Sequence, residues 1–282
     1  MKLKFTKMHG TGNDFVVIDA TQQAFTLSEK DISLLSNRRF GIGFDQLLVV
    51  GQSKIKDVDF SYRIFNADGG EVNQCGNGAR CFVTFVHDKN LTNKDEIIVE
   101  TRSGIIKPRL EANGSVSVNM GPPIFNPIKI PISVEKENNK YSLDVNDRRI
   151  EFGAVSMGNP HAVIIAKNID DAPVETVGRL LENNELFPER VNVNFMEIRS
   201  RESVNLRVWE RGAGETLSCG TGACASVVFG IKVGLLDSPC KVFTRGGELT
   251  IFWEGGESDV YMCGSAQSVF EGEIDVDRKS VG

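Results

Sequence analysis

The 282-residue chain contains no apolar run approaching the ~20 residues that cross a bilayer; the longest candidates, Phe15 to Ile18 and Ala225 to Phe229, are far shorter. A helical membrane protein is therefore not expected. No apolar stretch follows the lysines of the first fourteen residues, so a secretory signal is not expected either, and the expected compartment is the cytoplasm. There is no basic block: 32 Lys and Arg stand against 38 Asp and Glu, for a net charge of -6. That balance argues against a nucleic acid partner, which needs a Lys/Arg surface to displace counterions. Six cysteines are too few for a disulfide scaffold, and free thiols are expected. Neither a GxGxxG dinucleotide fingerprint nor a pyridoxal lysine motif is present. What remains is an ordinary globular composition, 40% hydrophobic and 25% charged with a mean hydropathy of -0.16, in a chain long enough for two cores.

Two stretches of the chain match each other. Arg63 to Ala79 (RIFNADGGEVNQCGNGA) and Arg207 to Ala223 (RVWERGAGETLSCGTGA) are identical at seven of seventeen positions, at a shift of 144 residues. A second echo, Gly12-Asn13-Asp14-Phe15 and Gly158-Asn159-Pro160-His161, each leads into an apolar run at nearly the same shift. A shift close to half the length means two copies of one domain, with a break near Gly121-Pro122-Pro123.

In the first copy, short β-branched or aromatic runs bounded by Gly, Asn and Asp predict strands over 5–8, 15–19, 46–50, 60–65, 97–101 and 116–120. The segments 78–88 and 222–233 are apolar almost all round and predict one buried helix per copy. Amphipathic helices are expected over 28–38, capped by Ser28, and over 171–184, capped by Asp170 or Asp171; a hairpin is expected over 241–253. The fold class is α/β of the α+β kind: two pseudo-symmetric domains, each a curved, mostly antiparallel sheet around a central helix, with the active site in the interdomain cleft.

Cys75 and Cys219 occupy the same place in each copy, after a strand and just before Gly-x-Gly at the start of the buried helix. Unsatisfied N–H groups there favour a thiolate and can also cradle a carboxylate. Two such thiols on one substrate suit inversion at a tetrahedral carbon: one removes a proton while the other supplies a proton to the opposite face. The copies differ where the substrate would be read. Asn66-Ala67 in the first corresponds to Glu210-Arg211 in the second, an acid for an ammonium and a guanidinium for a carboxylate. Asn13, Asn159 and Asn192 can donate and accept there, although each taken alone reads more readily as a turn residue. His161 either tunes a thiol or is a surface-loop residue. Cys81, Cys224, Cys240 and Cys263 are expected to pack in the core.

The segments MHGTGNDF (8–15), GFDQ (43–46), FNAD (65–68), CGNGAR (75–80), MGNPH (157–161) and ERGAGET (210–216) followed by CGTG (219–222) resemble the bacterial diaminopimelate epimerases over residues 3 to 272. The resemblance implies a cofactor-free, metal-free isomerase that interconverts LL- and meso-diaminopimelate, and it allows a homodimer. It divides the chain into 1–119 plus 265–282 and 120–264. Carried over by position, Cys75 and Cys219 are the catalytic thiols, and His161 and Glu210 modulate their pKa. Asn13, Gln46, Asn66, Asn159, Asn192, Glu210 and Arg211 contact substrate, while Gly76-Asn77 and Gly220-Thr221 offer backbone donors to its carboxylate. Thr11 and Gly70 depart from the family's common leucine and serine at positions that make no contact. Proline racemases and hydroxyproline epimerases share the second motif, but their first cysteine is typically followed by Gly-His and they have no use for a glutamate–arginine pair. A zinc or redox-sensing protein is a further alternative, although Cys75/Cys81 and Cys219/Cys224 are spaced too widely for usual zinc ligands.

Overall fold

Residues 2–73, 76–145 and 148–276 are described, in a computed structural model. Cys75 lies outside the described residues. The elements of the first half are β1 (Lys2–Gly10), β2 (Asn13–Asp19), α1 (Glu29–Ser36), β3 (Gln46–Gly51), β4 (Phe60–Asn66), β5 (Glu71–Val72), α2 (Gly76–Asp88), β6 (Val99–Thr101), β7 (Gly104–Ile106), β8 (Arg109–Leu110) and β9 (Val116–Asn119). There follow β10 (Tyr141–Val145), β11 (Arg148–Ser156), β12 (Pro160–Ile165), α3 (Val174–Glu182), β13 (Asn192–Ser200), β14 (Ser203–Glu210), β15 (Gly214–Thr216), α4 (Gly220–Lys232), β16 (Cys240–Thr244), β17 (Gly247–Phe252), β18 (Tyr261–Gly264) and β19 (Gln267–Asp275). Two compact units result: the first runs to Val118 and resumes at Gly264, and the second spans Asn119–Cys263. Among the described residues no helix is long and apolar enough to cross a membrane.

The duplication is written into the hydrogen bonding. In the first unit the strands lie in the order β19-β1-β2-β3-β4-β6-β7, with β5 on β4. The pairs from β1 to β7 run antiparallel, parallel, antiparallel, parallel, antiparallel. In the second unit β11-β12-β13-β14-β16-β17 repeats that alternation step for step, with β15 on β14. Both central helices have thirteen residues and are offset by the same 144 positions.

Burial on both faces explains why the central strands read as continuous apolar runs. On one face of β2 and β3, Val16, Ile18, Leu47 and Val49 pack with Ile32 and Leu35 of α1. The α2 side of the same unit places Phe82 edge-on to Phe60 and beside Tyr62. In the second unit α3 covers one face, with Val174 and Leu181 against Val193, Phe195 and Trp209. The other face holds α4, whose Ala223, Val227, Val228 and Phe229 join Val155, Val163, Met196 and Val208.

Three local expectations need amendment. Both central helices begin two residues earlier than predicted, at Gly76 and Gly220, with the glycines in the first turn; in α4, Cys219 itself is the N-cap. The α3 helix starts at Val174 with Pro173 as N-cap and no side-chain cap, so neither Asp170 nor Asp171 caps it. Asp171 instead accepts from Asn168 Nδ2 in the preceding turn, and the proline disfavours helical geometry just before it. Ser28 caps α1 as expected, in a reciprocal capping box with Asp31.

Candidate active site

Strand polarity gathers the candidate residues. In the first unit β2 and β3 are parallel and begin, at Asn13 and Gln46, where the antiparallel β4 ends at Asn66. In the second, Asn192 begins β13, Glu210 ends β14, and Asn159 stands just ahead of β12. Asn13 thus corresponds to Asn159, Gln46 to Asn192 and Asn66 to Glu210. The polar set of each unit sits at the strand ends where its central helix starts, which is why residues so far apart in sequence share one place.

In the second unit the set is bonded around Cys219, which is 5% exposed. Its Sγ lies 3.5 Å from Thr221 Oγ1. Asn159 Nδ2 donates to the same hydroxyl oxygen (3.3 Å), and Asn159 Oδ1 meets His161 Nε2 at 3.0 Å. The other ring nitrogen, Nδ1, is 3.1 Å from Asn194 Nδ2. Glu210 faces the sulfur and accepts from Thr216 Oγ1 at 2.6 Å. Asn192 ties the start of β12 to the turn after β14, donating to Pro160 O and accepting from Arg211 N, while Arg211 Nη1 donates to Glu189 O.

Burial dominates the electrostatics here. It pushes the Cys219 pKa well above that of an ordinary thiol, helped by the nearby Glu210 charge and opposed, insufficiently, by Thr221 and the Gly222 N–H. At this helix start burial outweighs the N–H groups, and Cys219 is held as the neutral thiol. Burial likewise brings His161 down to about 3, and the Arg211 charge adds to this. His161 is fully enclosed on β12, so the surface-loop reading is wrong and the ring is neutral at any ordinary pH.

In the first unit the set forms bonded pairs. Gln46 Nε2 donates to Asn66 Oδ1 at 2.9 Å, and Asn77 Nδ2 to Asn13 Oδ1 at 3.3 Å. Asn13 Nδ2 also donates to Asp45. Gly76 and Asn77 open α2, as Gly220 and Thr221 open α4, so main-chain donors lie at the start of each helix. Gln46 Oε1 and Asn77 Oδ1 are buried acceptors with no partner among the described residues. Cys81, Cys224 and Cys240 are fully buried and Cys263 partly so. Among the described residues no three His, Cys, Asp or Glu converge as a metal site would require.

Several supporting residues escaped the sequence reading. The Arg and Glu identical in both copies are bidentate ion pairs, Arg63–Glu71 (2.8 and 2.9 Å) and Arg207–Glu215 (2.7 and 3.1 Å), tying β4 to β5 and β14 to β15 just ahead of each cysteine. Their identity in the repeat was the available signal. Asp14 receives Arg38 and Lys7, and Asp45 joins Arg38, anchoring the turn beside Asn13. Burial would raise the Asp14 pKa, but the bonds from Arg38, Lys7 and Asp45 hold it far below the usual carboxylate range. Glu182, 3% exposed on α3, accepts from Trp209 Nε1, Gly212 N and Arg190, bracketing Glu210-Arg211 on both sides.

The sequence pattern of the family described as diaminopimelate epimerase matches residues 5–126 and 153–269. Diaminopimelate epimerase of Nitrosomonas europaea is 59% identical over 276 residues, covering 98% of this chain and 100% of the relative. That of Herminiimonas arsenicoxydans is 55% identical over 283 residues, covering 98% of this chain and 100% of the relative. Among solved structures, a probable proline racemase from Agrobacterium radiobacter superposes with a TM-score of 0.70 at 13% identity, over 99% of this chain and 94% of that one, a likeness of fold alone. With a family pattern spanning both halves and relatives matched end to end, the chain belongs to the diaminopimelate epimerase family.

Proposed function

We propose that this chain interconverts LL- and meso-diaminopimelate without a cofactor, by a two-thiol inversion, in the cytoplasm as a step of lysine and peptidoglycan precursor synthesis. The observation that carries this reading is the matched pair of helix starts, each preceded by a cysteine and each facing one polar set, in a chain 59% identical to a diaminopimelate epimerase. One thiolate takes the α-hydrogen as a proton, forming an S–H bond. The C–H electron pair moves into the carboxylate, and the opposite thiol gives its proton to the other face of the carbon, becoming the thiolate. Helix-start N–H groups at Gly76-Asn77 and Gly220-Thr221 stabilise the charge that builds on the carboxylate.

The protonated, buried Cys219 fits the proton-donating member, with Cys75 as base; the roles exchange in the reverse direction. His161 and Glu210 tune Cys219. Asn13, Gln46, Asn66, Asn159 and Asn192 hold the substrate's polar groups, while Glu210 and Arg211 read its ammonium and carboxylate groups. The site takes a free amino acid as its partner, with no nucleic acid, membrane or metal, and the family resemblance allows a homodimer.

The test is to incubate metal-free, reduced protein with LL-diaminopimelate in D2O. The expected products are the meso isomer and α-deuterium; the absence of both overturns the reading. Cys75→Ala and Cys219→Ala should each abolish epimerisation, whereas Cys81→Ala and Cys240→Ala should chiefly lower stability.

A further inference from the structure

One buried polar pair separates the two copies. His161 and Asn194 are both fully enclosed in the second unit. The matching positions of the first unit are Phe15 and Leu48, equally enclosed. The strand registers align them, since Phe15 pairs with Gln46 as His161 pairs with Asn192, and Leu48 and Asn194 each lie two residues further on. The same fold therefore closes with an apolar pair at this place. A buried polar pair costs desolvation that Phe and Leu avoid, so its presence on the Cys219 side alone calls for a reason other than packing.

The bonding supplies one. Asn194 Nδ2 lies 3.1 Å from both Ala162 O and His161 Nδ1. A main-chain carbonyl can only accept, so it fixes which end of the Asn194 amide is nitrogen. The amide N–H groups then point at Ala162 O and at Nδ1, which must accept, and the single ring proton sits on Nε2. From there each hydrogen points the same way: Nε2–H to Asn159 Oδ1, Asn159 Nδ2–H to Thr221 Oγ1, leaving the Thr221 hydroxyl hydrogen free to turn onto Cys219 Sγ. Asn194 Oδ1 has no partner among the described residues, and it lies 2.4 Å from where a Cβ on Gly222 would stand. The first turn of α4 thus accommodates Asn194 by carrying glycine.

We propose that Asn194 is a positioning residue which locks His161 in its Nε2–H form and thereby orients a one-way hydrogen-bond chain through Asn159 and Thr221 onto the sulfur of Cys219, making the two thiols of the duplicated fold chemically unequal. This rests on the reading of Cys219 as a reacting thiol. The chain stabilises negative charge on the sulfur as its proton departs, offsetting the burial and the Glu210 carboxylate that favour the thiol. The charged groups around it are Glu210, facing the sulfur, and Arg211, near the ring.

Two measurements need no substrate, so they can fail independently of the epimerisation assay. First, two-dimensional nitrogen-15 spectra of the histidine rings in the full chain should show His161 neutral at pH 7.5, with its proton on Nε2. Asn194→Asp, which can only accept at this position, should move that proton to Nδ1. Second, the iodoacetamide alkylation rate of Cys219 at pH 8, read by peptide mass spectrometry, should fall roughly tenfold in the His161→Phe/Asn194→Leu double variant, about one lost bond to a charged sulfur. That variant copies the first unit's pair, and its denaturation midpoint should be no lower than the parent's. A parent ring protonated on Nδ1, or charged at pH 7.5, overturns the proposal whether or not any variant folds. So does a folded double variant whose Cys219 reacts within twofold of the parent rate.

Discussion

Glu182→Gln isolates the buried carboxylate that holds the turn carrying Glu210 and Arg211. In the parent, Oε2 accepts from Trp209 Nε1 at 2.7 Å, and Oε1 accepts from Gly212 N at 2.8 Å and Arg190 Nη2 at 2.7 Å. An amide has one acceptor oxygen, so one side must meet an NH2 group that is itself a donor. Facing that NH2 toward Trp209, which is 8% exposed, leaves a buried indole N–H unpaired at a cost of about 1–3 kcal/mol. Facing it toward Gly212 and Arg190 loses two bonds whose donors reach water, at a cost of about 1–2 kcal/mol. The second orientation wins, so the variant should fold, lose about 1–2 kcal/mol, and release the turn from Gly212. Glu182→Ala lacks any acceptor for the indole and should lose about 2–4 kcal/mol. Urea denaturation read by tryptophan fluorescence measures both losses, and under the proposed function the KM for diaminopimelate should rise in Glu182→Gln. If both variants unfold within about 0.3 kcal/mol of the parent, the clamp carries no load and the reasoning is refuted.

Two further predictions concern the second unit. The folded pKa of His161, about 3, lies below its ordinary value of 6.5, so the unfolded chain binds a proton that the folded chain refuses. The stabilisation is complete above pH 6.5 and declines as pH falls toward 3, by up to about 1.4 kcal/mol per pH unit; His161→Phe should flatten this slope between pH 6.5 and 5, and an unchanged slope contradicts the assignment. In Gly153→Ala the new Cβ would stand 2.1 Å from Phe229 Cε2 and 2.2 Å from Cδ2, so the ring of α4 must move away from β11. A loss of about 1–3 kcal/mol in denaturation is expected, and a neutral result would mean the ring yields freely.

Much of this was legible in the linear chain because duplication leaves a record that needs no folding to read. The 144-residue shift located both central helices and both cysteines, and the motifs around them named a family that the full-length relatives bear out. Local patterns gave the strands, since period and turn residues act within a few positions. Short pairings such as β5 and β15 were missed, being too brief to show a pattern of their own. So was the true start of α4, which depends on Cys219 serving as cap.

The sequence by itself determined the two-copy architecture, the candidate thiols and the family, because these rest on identity and spacing along the chain. Only the tertiary structure decided the state of the residues. A helix start favours a thiolate, yet enclosure makes Cys219 a thiol, and enclosure keeps His161 neutral; desolvation depends on what the whole fold packs around a group. Only strand register showed that His161 and Asn194 stand where the sister copy has Phe15 and Leu48. The equivalence is hidden in the sequence because the two copies have diverged there, and the contact joins residues 33 positions apart.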